Sequence, residues 1–228
     1  PFTCNMTHLN ACIPPWHFDK GIAAMAKQLK DPDVRAKIRG EMEDPNTPYD
    51  NYYLNAGGWS GVFVSSSKNT PGVEGKFISD YAKEIGEDPF DAFFKIMIDN
   101  NGESSAVYSS MCEKDVFDIA KAPNTIVGSD GLTRATDEKG HPRAYATFPR
   151  AINYYVRENQ IMSLEECINR MTGLSAERLK IKNKGVLKDG YDADVLVIDY
   201  DKFYDRATYT DSNLLTDGID YVIVNGDI

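Results

Sequence analysis

The order of apolar and polar positions divides the chain into three stretches. Over residues 1–123 helices and turns dominate. Ile22, Met25, Ala26 and Leu29 recur at i, i+3, i+4 and i+7, which marks one face of a helix. Asp31 before Pro32 offers an N-cap with proline at the first helical position, and Val34, Ile38 and Met42 follow at four-residue spacing. A run rich in Pro, Asn, Asp and Gly over 44–58 reads as a loop. Residues 61–66 read as a short strand. Residues 75–85 read as a helix with Phe77, Ile78, Tyr81, Ala82 and Ile85 inward. Asp88-Pro89 starts another, whose stripe is Phe90, Phe93, Phe94, Met97 and Ile98. Residues 104–109 are strand-like, and 113–121 form a short helix.

Over 124–180 the pattern predicts a strand, a long loop and then helices. The apolar run 124–129 reads as a strand that ends in Gly128-Ser129-Asp130-Gly131. Residues 132–147 read as a polar loop. Phe148, Ile152, Tyr155 and Val156 mark a helix. Ser163 followed by Glu166 is a capping box ahead of the buried face Leu164, Cys167, Ile168 and Met171. Over 181–228 the period changes to that of strands, with β-branched runs at 193–200 and 219–225 and a turn at Lys188-Asp189-Gly190. The chain opens on Pro1 and closes on Asn225-Gly226-Asp227-Ile228, a turn that enters a strand. A strand needs a partner for its backbone groups. The expectation is therefore of a chain that continues beyond both ends.

Composition narrows the class. With 228 residues, 42% hydrophobic and 11% aromatic, the chain has material for a sizeable core and one or two domains. There is no apolar run of about 18 residues and no leader-like start, so neither a membrane span nor a signal peptide is expected. The net charge is −10 and basic residues are scattered, which excludes nucleic acid and anionic membrane surfaces as expected partners. Cys4, Cys12, Cys112 and Cys167 form no Cys-x-x-Cys pair. They read as free thiols in a reducing compartment, hence a cytoplasmic location.

The candidate chemistry centres on Asp130. A carboxylate that ends an apolar strand and opens a polar loop is where α/β barrels place catalytic groups, as a general base or a metal ligand. On pattern alone a strand-end Asp before Gly is more often a turn residue. His141-Pro142-Arg143 follows in the loop, and the planar fork of Arg143 suits a carboxylate. The plain alternative is a solvated loop arginine. Tyr108 and Met111 read first as packing. His8, His17 and His141 include no His-x-His, and His8 with Cys4 and Cys12 lacks zinc-site spacing. Phosphate loops and a Gly-x-Ser-x-Gly elbow are absent.

The literal sequence goes further. VGSDG from Val127, then GHPRAYATFPR to Arg150, resembles the N-acyl-D-amino-acid deacylase (D-aminoacylase) family of metal-dependent amidohydrolases. So do Val156-Arg157-Glu158, Ser163-Leu164-Glu165-Glu166 and Met171-Thr172. The tail, Lys184-Gly185 through GYDADVLVIDY and GIDYVIVNG, is similar to the close of many amidohydrolases. Pro1-Phe2-Thr3, Met6-Thr7, Pro14-Pro15-Trp16 and residues 75–89 also fit the deacylase pattern, so the resemblance covers nearly the whole chain.

The resemblance implies an α/β fold: the C-terminal part of a (β/α)8 amidohydrolase barrel joined to a small β-sandwich. Residues 1–123 would supply the end of barrel strand seven and a mostly helical insertion. Residues 124–180 would supply the last barrel strand and its helices, and 181–228 part of the sandwich. Zinc is the implied cofactor, held mainly by histidines that would lie upstream of Pro1, so this chain alone is expected to be inactive. Asp130 is implied as the catalytic proton acceptor and a metal contact. Arg143, assisted by His141, would hold the substrate's α-carboxylate, and Tyr108 and Met111 would line its side-chain pocket. Met6 stands where relatives often carry a small hydroxyl residue, which leaves carboxylate binding there open. The implied partner is a small N-acyl amino acid, with self-association or association with the missing N-terminal half. The rivals are a cyclic amidohydrolase of the dihydropyrimidinase or hydantoinase type and a non-catalytic fragment.

Overall fold

The computed structural model describes residues 1–132 and 140–228. It divides into two compact units, one of Thr3–Met111 and one of Pro1–Phe2 with Cys112–Ile228.

The first unit is built on four strands: β1 (Asn5–His8), β2 (Val62–Ser66), β3 (Lys76–Phe77) and β4 (Ser105–Tyr108). They lie in the order β1-β4-β2-β3, and every pair is antiparallel. Around them stand α1 (Ile22–Gln28), α2 (Pro32–Glu43), α3 (Tyr52–Asn55), α4 (Ile78–Ile85) and α5 (Pro89–Asp99). The helix starts follow from local chemistry. The carboxylates of Asp31 and Asp88 accept the backbone N–H groups of Asp33 and Phe90, each two residues on, and proline fills the next position. The apolar stripes meet in one core with Leu29, Ile38, Val62, Phe93, Met97 and Tyr108 buried.

Helices make up most of the regular structure in this stretch, and the strands expected at 61–66 and 104–109 form as β2 and β4; β1 and β3 join them in one sheet. The chain at Lys76 and Phe77 pairs with β2, so the helix expected from residue 75 begins only at Ile78. β1, of sequence NMTH, has no apolar alternation and gave no signal.

The second unit holds α6 (Glu113–Lys121), α7 (Arg143–Arg150), a π-helix over Ala151–Glu158, α8 (Leu164–Met171) and α9 (Gly173–Arg178). Its β5 (Val195–Ile198) and β6 (Ile219–Ile223) form a two-stranded antiparallel sheet. Pro149 lies in the last turn of α7, where it lacks the N–H for the α-helical ladder, and the wider π-helix follows directly. The Ser163 hydroxyl accepts the Glu166 N–H at 3.2 Å, half of the expected capping box. The Glu166 carboxylate turns instead to Arg170 at 2.7 Å. The core gathers Ile152, Tyr155, Cys167 and Phe203.

Two expectations differ here. Residues 124–129 form no strand. Their backbone finds Val127 N–H donating to the carbonyl of Arg170 at 3.3 Å, and a strand without a neighbouring strand has no ladder to hold it. Every strand pair among the described residues is antiparallel, so no parallel barrel pair appears there. The expected loop 132–147 is described at 132 and 140–147, and α7 already begins at Arg143 within it. The rest of that loop lies outside the described residues. Among the described residues no helix is long and apolar enough to cross a membrane.

Candidate active site

The second unit brings Asp130, His141 and Arg143 together. Asp130 sits in a left-handed backbone conformation, φ 49°, between Ser129 and Gly131. Such a φ is uncommon outside glycine and is tolerated best by Asn and Asp. The Ser129 hydroxyl accepts the Gly131 N–H at 3.2 Å and tightens the turn. Gly131 passes so close to α7 that an added Cβ would lie 3.0 Å from the Cα of Ala144. That approach sets Asp130 beside the start of α7. The Arg143 Nη2 meets the Asp130 Oδ2 at 2.8 Å. Arg143 is mostly enclosed, its side chain 16% exposed, whereas the Asp130 side chain is 81% exposed.

His141 stands directly beside Arg143. It is buried, 3% exposed. Its Nδ1 accepts the backbone N–H of Arg143 at 3.0 Å, one of the donors that a helix start leaves without a partner. An accepting Nδ1 carries no proton, so this bond sets the ring's tautomer. The ring is met edge-on by Phe2 at 4.9 Å and by Tyr209 at 5.3 Å between centroids. His141 thus accepts a donor of the first turn of α7, beside Arg143. Nearby, the buried Ser212 hydroxyl accepts the Gly140 N–H at 2.9 Å. Tyr209 and Ser212 had no signal in the sequence. They come from a loop some 70 residues away, and only the tertiary fold delivers them.

Tyr108 and Met111 belong to the first unit. Tyr108 has no exposed surface. Its hydroxyl donates to the His8 carbonyl at 2.9 Å and accepts from the Cys12 thiol at 3.7 Å. Burial holds that hydroxyl well above its ordinary pKa. Within its unit Tyr108 is thus a core residue. Met111 is 44% exposed. Burial likewise raises the Cys12 thiol to about 12 and the Cys167 thiol to about 11, so neither supplies a thiolate near neutral pH.

Among the described residues, no group of three or more His, Cys, Asp and Glu side chains stands close enough to hold a metal ion. A zinc centre takes about four ligands, three from protein in catalytic sites. The described residues offer the carboxylate of Asp130 and do not by themselves fit such a centre.

Residues 55–228 match the amidohydrolase family, more than half of the chain. The chain belongs to that family. Within it, the chain resembles the N-acyl-D-amino-acid deacylases. It is 35% identical over 167 residues to the N-acyl-D-aspartate deacylase of Alcaligenes xylosoxydans xylosoxydans, covering 73% of this chain and 32% of that protein. It is also 35% identical over 165 residues to the D-aminoacylase of the same organism, covering 72% of this chain and 33% of that protein. The chain thus spans about a third of the length of these curated relatives. A crystal structure of the N-acyl-D-glutamate deacylase from Bordetella bronchiseptica, with zinc and a phosphonate mimic of the tetrahedral intermediate, shares 35% identity. It superposes with a TM-score of 0.66 over 76% of this chain and 35% of that one. A crystal structure of D-aminoacylase is 27% identical with a TM-score of 0.63, covering 94% of this chain and 44% of that one.

Proposed function

We propose that this chain carries part of the active site of a metal-dependent hydrolase that cleaves the amide of N-acyl-D-amino acids to a D-amino acid and a carboxylate. The observation behind this reading is the Asp130–Arg143 pair at 2.8 Å, in a chain whose relatives are named as deacylases of this class.

The chemistry of the two side chains divides naturally. Arg143 presents a planar fork of five N–H donors, of which Asp130 takes Nη2. The same fork is suited to a substrate α-carboxylate. Asp130 is the proton carrier. Its exposed carboxylate accepts a proton from the attacking water and returns it to the nitrogen that leaves as the amine. The bond broken is C–N, the bond formed is C–O, and both water hydrogens end on the products. A zinc ion, as in the Bordetella relative, would polarise the scissile carbonyl and lower the pKa of water. It would need ligands besides those described here.

The test is hydrolysis of paired N-acetyl-D- and N-acetyl-L-amino acids with zinc supplied, by the complete enzyme that contains this chain, as wild type and as Asp130→Asn. Turnover of the D-series alone, lost in Asp130→Asn, is the expected outcome. Turnover of hydantoins without N-acetyl-D-amino acids would replace this reading with a cyclic amidohydrolase. Activity retained by Asp130→Asn would remove Asp130 from its role.

A further inference from the structure

We infer that Arg170 is a positioning residue for Asp130, a role that rests on the reading of Asp130 as the proton carrier. Arg170 lies on α8 and is 5% exposed. A guanidinium taken out of water is costly unless its donors are matched. Here Nη1 is matched by one particular stretch of chain and Nε by a carboxylate of the same helix. Nη1 shares its two N–H groups among the carbonyls of Ala120 and Ala122 and the Thr125 hydroxyl, the last at 2.6 Å. Nε pairs with the Glu166 carboxylate one helical turn back at 2.7 Å. The Arg170 carbonyl in turn accepts the Val127 N–H at 3.3 Å and the Ser175 hydroxyl at 2.7 Å.

Side chain and backbone of one residue therefore hold the chain at Ala120, Ala122, Thr125 and Val127. Asp130 follows three residues later. Residues 123–130 belong to no helix or strand, so no ladder fixes their course. Thr125 closes the bend by donating to the Ala122 carbonyl at 2.9 Å, and Arg170 binds both ends of that bend. An apolar side chain would fill the same space without the desolvation cost. What it would not do is give an irregular segment a single course. On the far side, Gly131 rests against α7. The Asp130 turn is thus suspended between the Arg170 anchor and the helix that carries Arg143.

The experiment compares wild type with Arg170→Lys, Arg170→Met and Thr125→Val. Amide hydrogen exchange is read over residues 122–131, with the α7 and π-helix amides as internal control. Losing one bond to a charged donor should speed exchange of the Val127 amide and its neighbours by about tenfold or more while the control amides stay as they are. In the deacylase assay, kcat for an N-acyl-D-amino acid should fall while KM stays within about twofold, because Arg143 is untouched. Lys should rescue part of what Met loses. Unchanged exchange over 122–131 would overturn the inference. So would exchange that rises equally in the control helices, since that is a general loss of packing. If Arg170→Lys fails to fold, Thr125→Val decides, because it deletes one acceptor and leaves the charge paired. If the wild type turns over no D-substrate, the proposed function fails on its own, and the exchange result still decides whether Arg170 fixes the segment.

Discussion

Replacing Arg143 by Ala separates what this guanidinium does for the fold from what it does for a ligand. Within the protein its partner is Asp130 at 2.8 Å, and that carboxylate is 81% exposed. A pair with one side in open water is worth about 0–1 kcal/mol, so Arg143→Ala should leave the unfolding free energy within about 1 kcal/mol of wild type. Toward a substrate carboxylate the guanidinium makes bonds between charged groups, which are worth about 1.5–3 kcal/mol, or about ten- to a hundredfold in affinity. Binding is measured by calorimetry on two ligands, an N-acetyl-D-amino acid and the N-acetyl amine of the same side chain without the carboxylate. The variant should lose affinity for the first and keep that for the second. Arg143→Lys retains the charge without the fork and should fall between. Equal losses on both ligands, or no loss on the acid, would refute Arg143 as the carboxylate anchor. A collapse in stability would mean that the residue serves the fold instead.

Three further outcomes follow from the structure. Asn100 is 5% exposed and donates to the Ser67 and Thr70 hydroxyls and the Ile96 carbonyl while accepting the Asn69 N–H. Asn100→Ala should destabilise the first unit by about 1–3 kcal/mol in urea unfolding, and a loss within experimental error would show that water replaces the network. Burial raises the Cys167 thiol from 9.0 to about 11 in the folded chain. Its contribution to stability is therefore complete below pH 9.0 and lost as pH rises through about 11. Unfolding free energies across that range should decline, and less steeply in Cys167→Ala; identical slopes would discount the thiol. Finally, β5 and β6 expose Leu196, Tyr221 and Val222 at 53%, 53% and 54%, and each strand has one edge unpaired among the described residues. Such a sheet invites pairing with another chain. The purified chain should self-associate in light scattering, and a concentration-independent monomer would contradict this.

Most of the helices could be read from the sequence because their signals are short-range. Asp31-Pro32, Asp88-Pro89 and Ser163 cap their helices through groups two or three residues away, so a local pattern contains the whole cause. The β-branched runs that became β5 and β6 carried their own pattern as well. Strands elsewhere were less legible, since a strand is completed by a neighbour that is distant in sequence. β1 pairs with β4 about a hundred residues on and shows no alternation of its own. Residues 124–129 have the composition of a strand but find a helix carbonyl instead of a sheet.

The site divides in the same way. Asp130 and Arg143 stood out by residue type, by their place around a loop and by likeness to a family. Their meeting at 2.8 Å required the close approach of Gly131 to α7. His141 reads in sequence as a loop histidine, yet burial between Phe2 and Tyr209 makes it a helix cap. Arg170 reads as an ordinary helical cation, yet its Nη1 is spent on a segment some 45–50 residues away. Residue chemistry and local caps are properties of the chain itself. Burial, and the partner that each polar group meets there, exist only once distant segments have packed.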